Sequence, residues 1–330
     1  MKLLFNKADN GAEELKNLTG SYYENNDFSK IKTDILLESE KIRDLVGSEV
    51  YQLAEDAYYE SEPLEEPARD LMEHIQIPIA FLAAHKFYQG TILSHEDVGR
   101  KIKIDKESES MGWEWMYDRD DAANERKAFA TIDRLIKFLD LSDLSQWKDS
   151  PSQKATRNLF VNSTKIFQAT YPIDNSGRFY YTVVPFIAKI ERQEIKKAIG
   201  SDRYTSLLAW HKNIENDGND APTPEDIDNS AVLALIRECV PLMVMAVAVR
   251  RLAINVLPEG VVQQFRSMMQ TAKASQAATP ELIRQFTLKM DVAAEKAFDE
   301  LKKHIKSSDP TVGVYPLIPD NPPCQKVFRT

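Results

Sequence analysis

One stretch of this chain is written twice. Ile42–Tyr51 reads IRDLVGSEVY and Ile195–Tyr204 reads IKKAIGSDRY, with Ile, Gly, Ser and Tyr at equal spacing and Glu49 answered by Asp202. Internal repetition constrains the fold more tightly than composition does, because each copy must build the same supersecondary unit. Further pairs follow in order. Leu71, Lys86, Ile92, Leu93 and Val98 meet Leu235, Arg250, Val256, Leu257 and Val262 at a gapless offset of 164, which puts Pro78 and Pro241 one position apart. Lys127–Phe129 (KAF) returns as Lys296–Phe298, with Ile132 matching Leu301 and Ile136 matching Ile305.

Each copy then reads in one order. A short strand-like piece opens it, Leu3–Asn6 and Asn158–Val161. A first helix follows, carried by Ile31, Ile35, Ile42, Leu45 and Val46, and in the second copy by Val184, Ile187, Ile195 and Ile199 with Pro185 near its start. Gly47 and Gly200 are expected to end these helices in the left-handed conformation, with Ser48 and Ser201 as N-caps of a second helix. Polar spacers (Glu60–Asp70, Glu215–Asn229) lead to the most apolar helices, about Pro67–Thr91 and Ser230–Val256, each expected to kink at its proline. The last helices span about Trp113–Leu139 and Pro280–Ile305. The copies diverge at Gly99–Gly112, where Arg100–Asp105 alternates charged and apolar residues as a β-arm does. The predicted fold is mostly α: two tandem, similar helical domains, with short strand-like N-terminal pieces, one β-arm and an extended C-terminal tail. The boundaries are 1–142 for the first domain, 143–157 for a linker, 158–306 for the second domain and 307–330 for the Pro-rich tail.

The 330 residues suffice for two cores. Apolar residues at 43% and charged residues at 28% describe a folding chain, not a disordered one. A net charge of −9 argues against general nucleic-acid binding through a basic surface. Cys239 and Cys324 give neither a disulfide framework nor zinc spacing, which suits a reducing cytosol. The N-terminus lacks a signal-peptide core. The longest apolar run, Cys239–Val249, falls short of the roughly 20 residues of a membrane span and reads as a buried central helix, so no membrane partner is expected.

Motifs for chemistry are sparse. There is no glycine-rich phosphate loop, Gly-x-Ser-x-Gly elbow or His-Glu-x-x-His pair in the sequence. His74 and His85 lie three helical turns apart, too far to share a metal. Asp118, Asp121 and Glu125 fall on one helical face that could ligate Mg²⁺ or Ca²⁺, but the interleaved Arg119 and Arg126 make a salt-bridged helix start the plainer reading. No catalytic, cofactor-binding or metal residue is assigned, and no cofactor. The interaction candidates are Arg100, Lys101 and Lys103 on the arm, Trp113 and Trp115 behind it, and Val312, Val314, Tyr315, Leu317 and Ile318 on the tail.

The helix ending in glycine followed by a short helix (Ile42–Tyr59, Ile195–His211), the acidic loop, the long apolar helix, the arm and the closing helix together resemble the head–tail connector (adaptor) proteins of tailed phages. The stretch GRKIKID…WEWMYDRDD…ERKAF is also similar to phage and prophage proteins. The resemblance implies a non-enzymatic structural subunit that self-associates in a ring and meets portal or tail components, with DNA at most passing through, in the host cytosol or the virion. It would put Gly99–Gly112 toward the channel and Ser307–Thr330 on neighbours. Family connectors carry one such domain, and this chain carries two. Two other readings stand beside it: an intracellular helical adaptor that binds a protein through its tail or an apolar helix face, and a metal-dependent enzyme built on Asp118, Asp121 and Glu125.

Overall fold

The computed structural model describes residues 1–20, 22–60, 66–91, 94–96, 99–101, 113–214, 223–252, 255–257, 260–262 and 280–308. They form two helical domains in tandem. The first contains α1 (Gly11–Thr19), α2 (Phe28–Val46), α3 (Ser48–Tyr59), α4 (Glu66–Thr91), a two-stranded hairpin of β1 (Ser94–Glu96) and β2 (Gly99–Lys101), and α5 (Glu114–Leu141). Two short helices follow, α6 (Ser145–Lys148) and α7 (Pro151–Thr156). The second contains α8 (Thr164–Thr170), α9 (Gly177–Ile190), a single π turn (Glu191–Ile195) running into α10 (Lys196–Ile199), and α11 (Ser201–Ile214). It closes with α12 (Pro224–Leu252), a hairpin of β3 (Asn255–Leu257) and β4 (Gly260–Val262), and α13 (Pro280–Ser308).

The repeated decapeptide is a corner between two helices. Gly47 N donates to Arg43 O (2.8 Å) and Gly200 N to Lys196 O (3.1 Å). On the far side Tyr51 N and Tyr204 N donate to the glycine carbonyls, at 3.1 and 3.0 Å. The glycines sit at φ/ψ of 94/151 and 86/151. Their φ is positive, as expected, but their ψ lies outside the left-handed helical well, in a region that is almost wholly glycine's. Ser48 is the first residue of its helix and not its cap; Gly47 holds the cap position.

The helix pairs α4/α5 and α12/α13 carry the densest packing in their domains. Both pairs are antiparallel: His74 stacks on Phe138 at one end while Gln89 reaches Asp121 at the other, and Asp228 meets His304 while Arg250 meets Asp291. A hairpin closes the tip of each pair, so the second copy has an arm where none was expected. Strand register corrects the alignment of the copies. Ser94 pairs with Lys101 and Asn255 with Val262, which makes Ser94 the equivalent of Asn255, an offset of 161. Burial agrees: Leu71, Ile75, Ile79, Ala83 and Phe87 match Val232, Ile236, Val240, Val244 and Ala248. The 164 register is therefore overturned, and Pro78 and Pro241 lie two positions apart, each within an unbroken helix. Pro185 is likewise interior, because Ser176 caps α9 well upstream by accepting from Phe179 N.

The strand-like pieces are not strands. Leu4, Phe5, Leu159, Phe160 and Val161 are buried in irregular, bent chain that pairs with no neighbouring strand and is held by side-chain hydrogen bonds instead. Residues 143–157, expected as a linker, carry α6 and α7. Trp147 is 1% exposed and belongs to the first core. Its indole donates to Asp140 Oδ1 (3.0 Å), and Gln153 bridges Asp140 and the Tyr181 hydroxyl (2.9 and 3.0 Å). Desolvation raises the Asp140 carboxyl, against the pull of Trp147 and Gln153.

The domains pack on each other through α5 and α9. Asp133 on α5 accepts from Ser176 Oγ (3.0 Å) and Arg178 N (2.8 Å), and the Arg178 guanidinium lies 3.8 Å from the centre of the Phe129 ring. Gly177 sits so close to Ile136 that a Cβ there would stand 2.5 Å from Ile136 Cγ2. Tyr181 packs against both cores. Among the described residues α12 is long and apolar enough to cross a membrane by length and composition, but 56% of its apolar window is buried, against α8, α9 and α13. It is the central helix of the second core, as the apolar run Cys239–Val249 implied.

Candidate interaction surface and the buried anchors

The first arm stands where the chain leaves α4 and re-enters α5. Arg100 lies on β2 opposite His95, and Lys101 opposite Ser94. Lys103 and the tail residues Val312, Val314, Tyr315, Leu317 and Ile318 lie outside the described residues. Trp113 and Trp115 open α5 with 71% and 44% of their surface exposed, and Met116 and Tyr117 beside them are exposed too. These aromatics are not core. They form an exposed apolar cluster at the N-terminal end of α5.

Acids crowd the next turn. Asp121 accepts from Gln89 Nε2 (3.3 Å), and its Oδ1 lies 3.7 Å from the buried His85 ring. Asp120 accepts from Asn124 (3.0 Å). Burial, then Asp120 and Asp121, push the Tyr22 phenol well above its ordinary range. Among the described residues no three His, Cys, Asp or Glu groups are arranged to hold a metal ion, Asp118, Asp121 and Glu125 included. Cys239 is buried and its thiol is pushed up to about 12 by desolvation, so nucleophilic chemistry has no foothold there.

The second pair offers a different surface. A cavity of about 330 Å³ opens between α9, α12 and α13, with Phe186, Met243, Val247 and Phe298 on its apolar side and Arg250 and Arg251 at its rim. Leu288 and Val292 on α13 are exposed. A wider cleft of about 1080 Å³ lies between the N-terminal segment, α1 and the start of α2, with a polar lining that includes Asp9, Glu13, Lys16 and Lys32.

The buried irregular pieces at the start of each domain are anchored by different side chains. In the second domain Glu191 accepts from Phe160 N with both oxygens and from Val161 N with Oε1, all at 3.1 Å. Arg237 Nε donates to Phe160 O (3.1 Å), and its Nη2 lies 3.3 Å from His211 Nε2. Tyr180 donates to Val161 O (3.0 Å), and Thr170 holds the Arg237 carbonyl (2.8 Å). Desolvation pushes the Glu191 carboxyl up to about 8, opposed by the Phe160 and Val161 amides and by Arg237. In the first domain the chain start is held by Gln76, Tyr58 and a carboxylate from another helix, Glu14, which accepts from Asn6 N (2.7 Å) and from the Tyr58 hydroxyl (2.9 Å). Gln76, the equivalent of Arg237, donates to Leu4 O, and Tyr58, the equivalent of His211, receives Lys7 N (2.8 Å). Ser39 stands where Glu191 does in the register of Ile31 and Ile35, and the buried Glu38 stands there in the register of the corner motif. Ile31 and Ile35 match Val183 and Ile187, whereas Ile42 and Val46 match Ile195 and Ile199, so the π turn has inserted one residue. The π-helix is rare and occurs mostly as single turns of this kind inside α-helices. Nothing in the sequence reading singled out Glu191, Arg237 or His211. The signal was the one-residue slip between the copies inside the first long helix.

The model of a family of unknown function, DUF6712, matches residues 42–157 and again 195–326, about three quarters of the chain. Both matches begin at the repeated Ile of the corner motif. No curated protein and no solved structure matches.

Proposed function

We propose that this chain, which belongs to the family of unknown function DUF6712, is a non-enzymatic structural subunit of the head–tail connector type, assembling in a ring with portal or tail components of a phage or prophage virion. The observation that carries the reading is architectural. Two fused copies of one helical unit each present a hairpin at the tip of their longest helix pair, and exposed Trp113, Trp115 and Met116 lie at the start of α5. A helical body with hairpins at its helix tips and exposed tryptophans at the start of α5 suits contact with neighbours, since large aromatics anchor interfaces. In this reading the protein works in the host cytosol or the virion, and its acidic net charge lets DNA pass without being held.

Mass photometry and negative-stain microscopy of the full chain, alone and with a portal ring, test it. Closed rings, or saturable binding to the portal ring, are expected. The double variant Trp113→Ala/Trp115→Ala should weaken assembly at least about tenfold with unchanged melting, since loss of a buried aromatic anchor typically costs 2 kcal/mol or more of binding. A strict monomer that ignores the portal ring overturns the proposal. A second reading, a helical adaptor for a protein partner, is favoured by the apolar cavity between α9, α12 and α13. It would give a monomer whose partner binding is lost on Met243→Asp while the Trp113 and Trp115 changes leave it intact.

A further inference from the structure

The closing helices of the two copies run in a register of 169, since Lys127–Phe129 matches Lys296–Phe298. The two family matches end at residues 157 and 326, and 326 lies 169 beyond 157, the same register. Residues 309–326 are therefore the second copy's counterpart of residues 140–157, with Asp309 answering Asp140. In the first copy that segment is not a spacer. Trp147 is buried in the first core, and α6 packs on α3. Ser150 and Pro151 cover the glycine corner: a Cβ on Gly47 would stand 3.1 Å from Ser150 Cβ and 3.5 Å from Pro151 Cδ. Ser152 Oγ donates to Leu45 O, just before the same corner (2.7 Å). The chain that follows the closing helix thus returns to cover the corner of its own copy.

The second corner lacks such a cover among the described residues. Gly47 is buried and Gly200 is exposed, and a Cβ on Gly200 meets nothing within 4 Å. Val50 and Tyr51 are buried, whereas Arg203 and Tyr204 in their places are partly exposed. The end of α13 lies close by. α13 packs on α10, and Ile305 shares the second core with Ile199. Asp228 pairs with Arg203 in the first turn of α11 and with His304 near the end of α13. The chain therefore leaves Ser308 beside the corner that the first copy covers with the equivalent segment. From Pro310 to Pro319 it carries no charged residue and includes Val312, Val314, Tyr315, Leu317 and Ile318, an apolar stretch that gains by being covered. Asp309 and Asp320 bracket this stretch, and Lys196 and Lys197 stand next to the corner.

We propose that residues 309–326 fold back on the second domain of their own chain and cover the corner between α10 and α11, with the apolar stretch Val312–Ile318 as the part that docks. The duplication names the occupant, because the same register supplies the cover of the first corner. Reach is sufficient. Pro319, in the register of Ser150, stands eleven residues beyond Ser308, and eleven residues span up to about 36 Å when extended. The occupant differs in form from α6 and α7. Prolines at 310, 316, 319, 322 and 323 suit extended chain better than helix. An extended chain also yields to an added methyl where the start of α7 cannot. The contact is made within one chain and does not depend on the connector reading; it places on the chain's own second domain the tail that the resemblance would put on neighbours.

Cys324 is a native handle for the test, because Cys239 is buried with its thiol pushed up to about 12. One nitroxide on Cys324 and another on Ser201→Cys, an exposed position next to Gly200, report their separation by double electron–electron resonance on the full chain. A single narrow distance is expected, and it should survive a large excess of unlabelled protein. Tyr315→Asp/Leu317→Asp should broaden it. The same change should speed exchange of the Gly200 and Tyr204 amides, which close the corner, at least about tenfold, while the Gly47 and Tyr51 amides keep their rates. A broad distribution overturns the proposal: a free chain of sixteen residues, Ser308 to Cys324, has an end-to-end distance of about 20–24 Å with comparable spread. A narrow distance that vanishes on dilution with unlabelled protein overturns it too, and puts the tail on a neighbouring copy. A narrow distance that the Tyr315 and Leu317 changes leave untouched overturns it as well, since the apolar stretch would then not be what holds the tail.

Discussion

Gly47 and Gly200 occupy the same unusual backbone region, φ near 90° with ψ of 151°, and differ only in what surrounds them. A Cβ at Gly200 meets nothing within 4 Å, whereas one at Gly47 comes to 3.1 Å from Ser150 Cβ. Gly200→Ala should therefore report the backbone cost alone, about 1–3 kcal/mol. Gly47→Ala should cost more, because the start of α7 must also move. Urea unfolding of the two variants measures both, and a Gly47→Ala loss no larger than that of Gly200→Ala would contradict the role given to Ser150. These glycines were legible in the sequence because nothing else supplies that φ; their ψ was not, since it depends on how the following helix leaves the corner. The anchors were not legible. Glu191, Arg237 and His211 come from three separate helices, and no spacing along the chain marks them as neighbours.

Among the elements, the closing helices were read well and the apolar helices were placed three residues out of register. The reason lies in helical geometry. A slip of three residues turns a helix by only about 60° short of a full turn, so an apolar stripe largely overlaps itself after the slip. Leu71 finds an apolar partner at Leu235 as easily as at Val232, and only burial and the hairpin pairing separate the two. The second hairpin was missed because Asn255–Val262 is too short for alternation to stand out. The alternation at Arg100–Asp105 overlaps the first hairpin only at Arg100 and Lys101, because its strands are Ser94–Glu96 and Gly99–Lys101, and the rest of Gly99–Gly112 lies outside the described residues. The contact of α5 with α9 carries its own prediction. Gly177→Ala drives a methyl into Ile136, so α9 must shift or tilt at its first turn, and overpacking of this kind costs about 1–3 kcal/mol. Asp133→Ala frees Ser176 and the Arg178 amide, at about 1 kcal/mol, with no steric change. Calorimetry should rank Gly177→Ala as the more damaging. Equal effects would mean that the approach of Gly177 to Ile136 is not what sets the domain contact.

At the scale of the whole molecule the question is whether two copies of a domain make one cooperative unit. Each core is large enough to fold alone, which favours independent melting. Against that, Trp147, Asp140 and Gln153 of the first domain fasten Tyr181 of α9, and Asp133 caps the same helix from the other side. Unfolding the first domain would strip α9 of its N-terminal support, and α9 holds Tyr180, Val183 and Ile187 in the centre of the second core. The domains should therefore melt together near neutral pH. Leu139→Ala in the first core and Leu301→Ala in the second remove fully buried side chains and should each cost about 2–5 kcal/mol. Both should lower the same calorimetric transition, with calorimetric and van't Hoff enthalpies still in agreement. If Leu139→Ala shifts only part of the heat and leaves the remainder at its original temperature, the domains are independent bodies that merely touch.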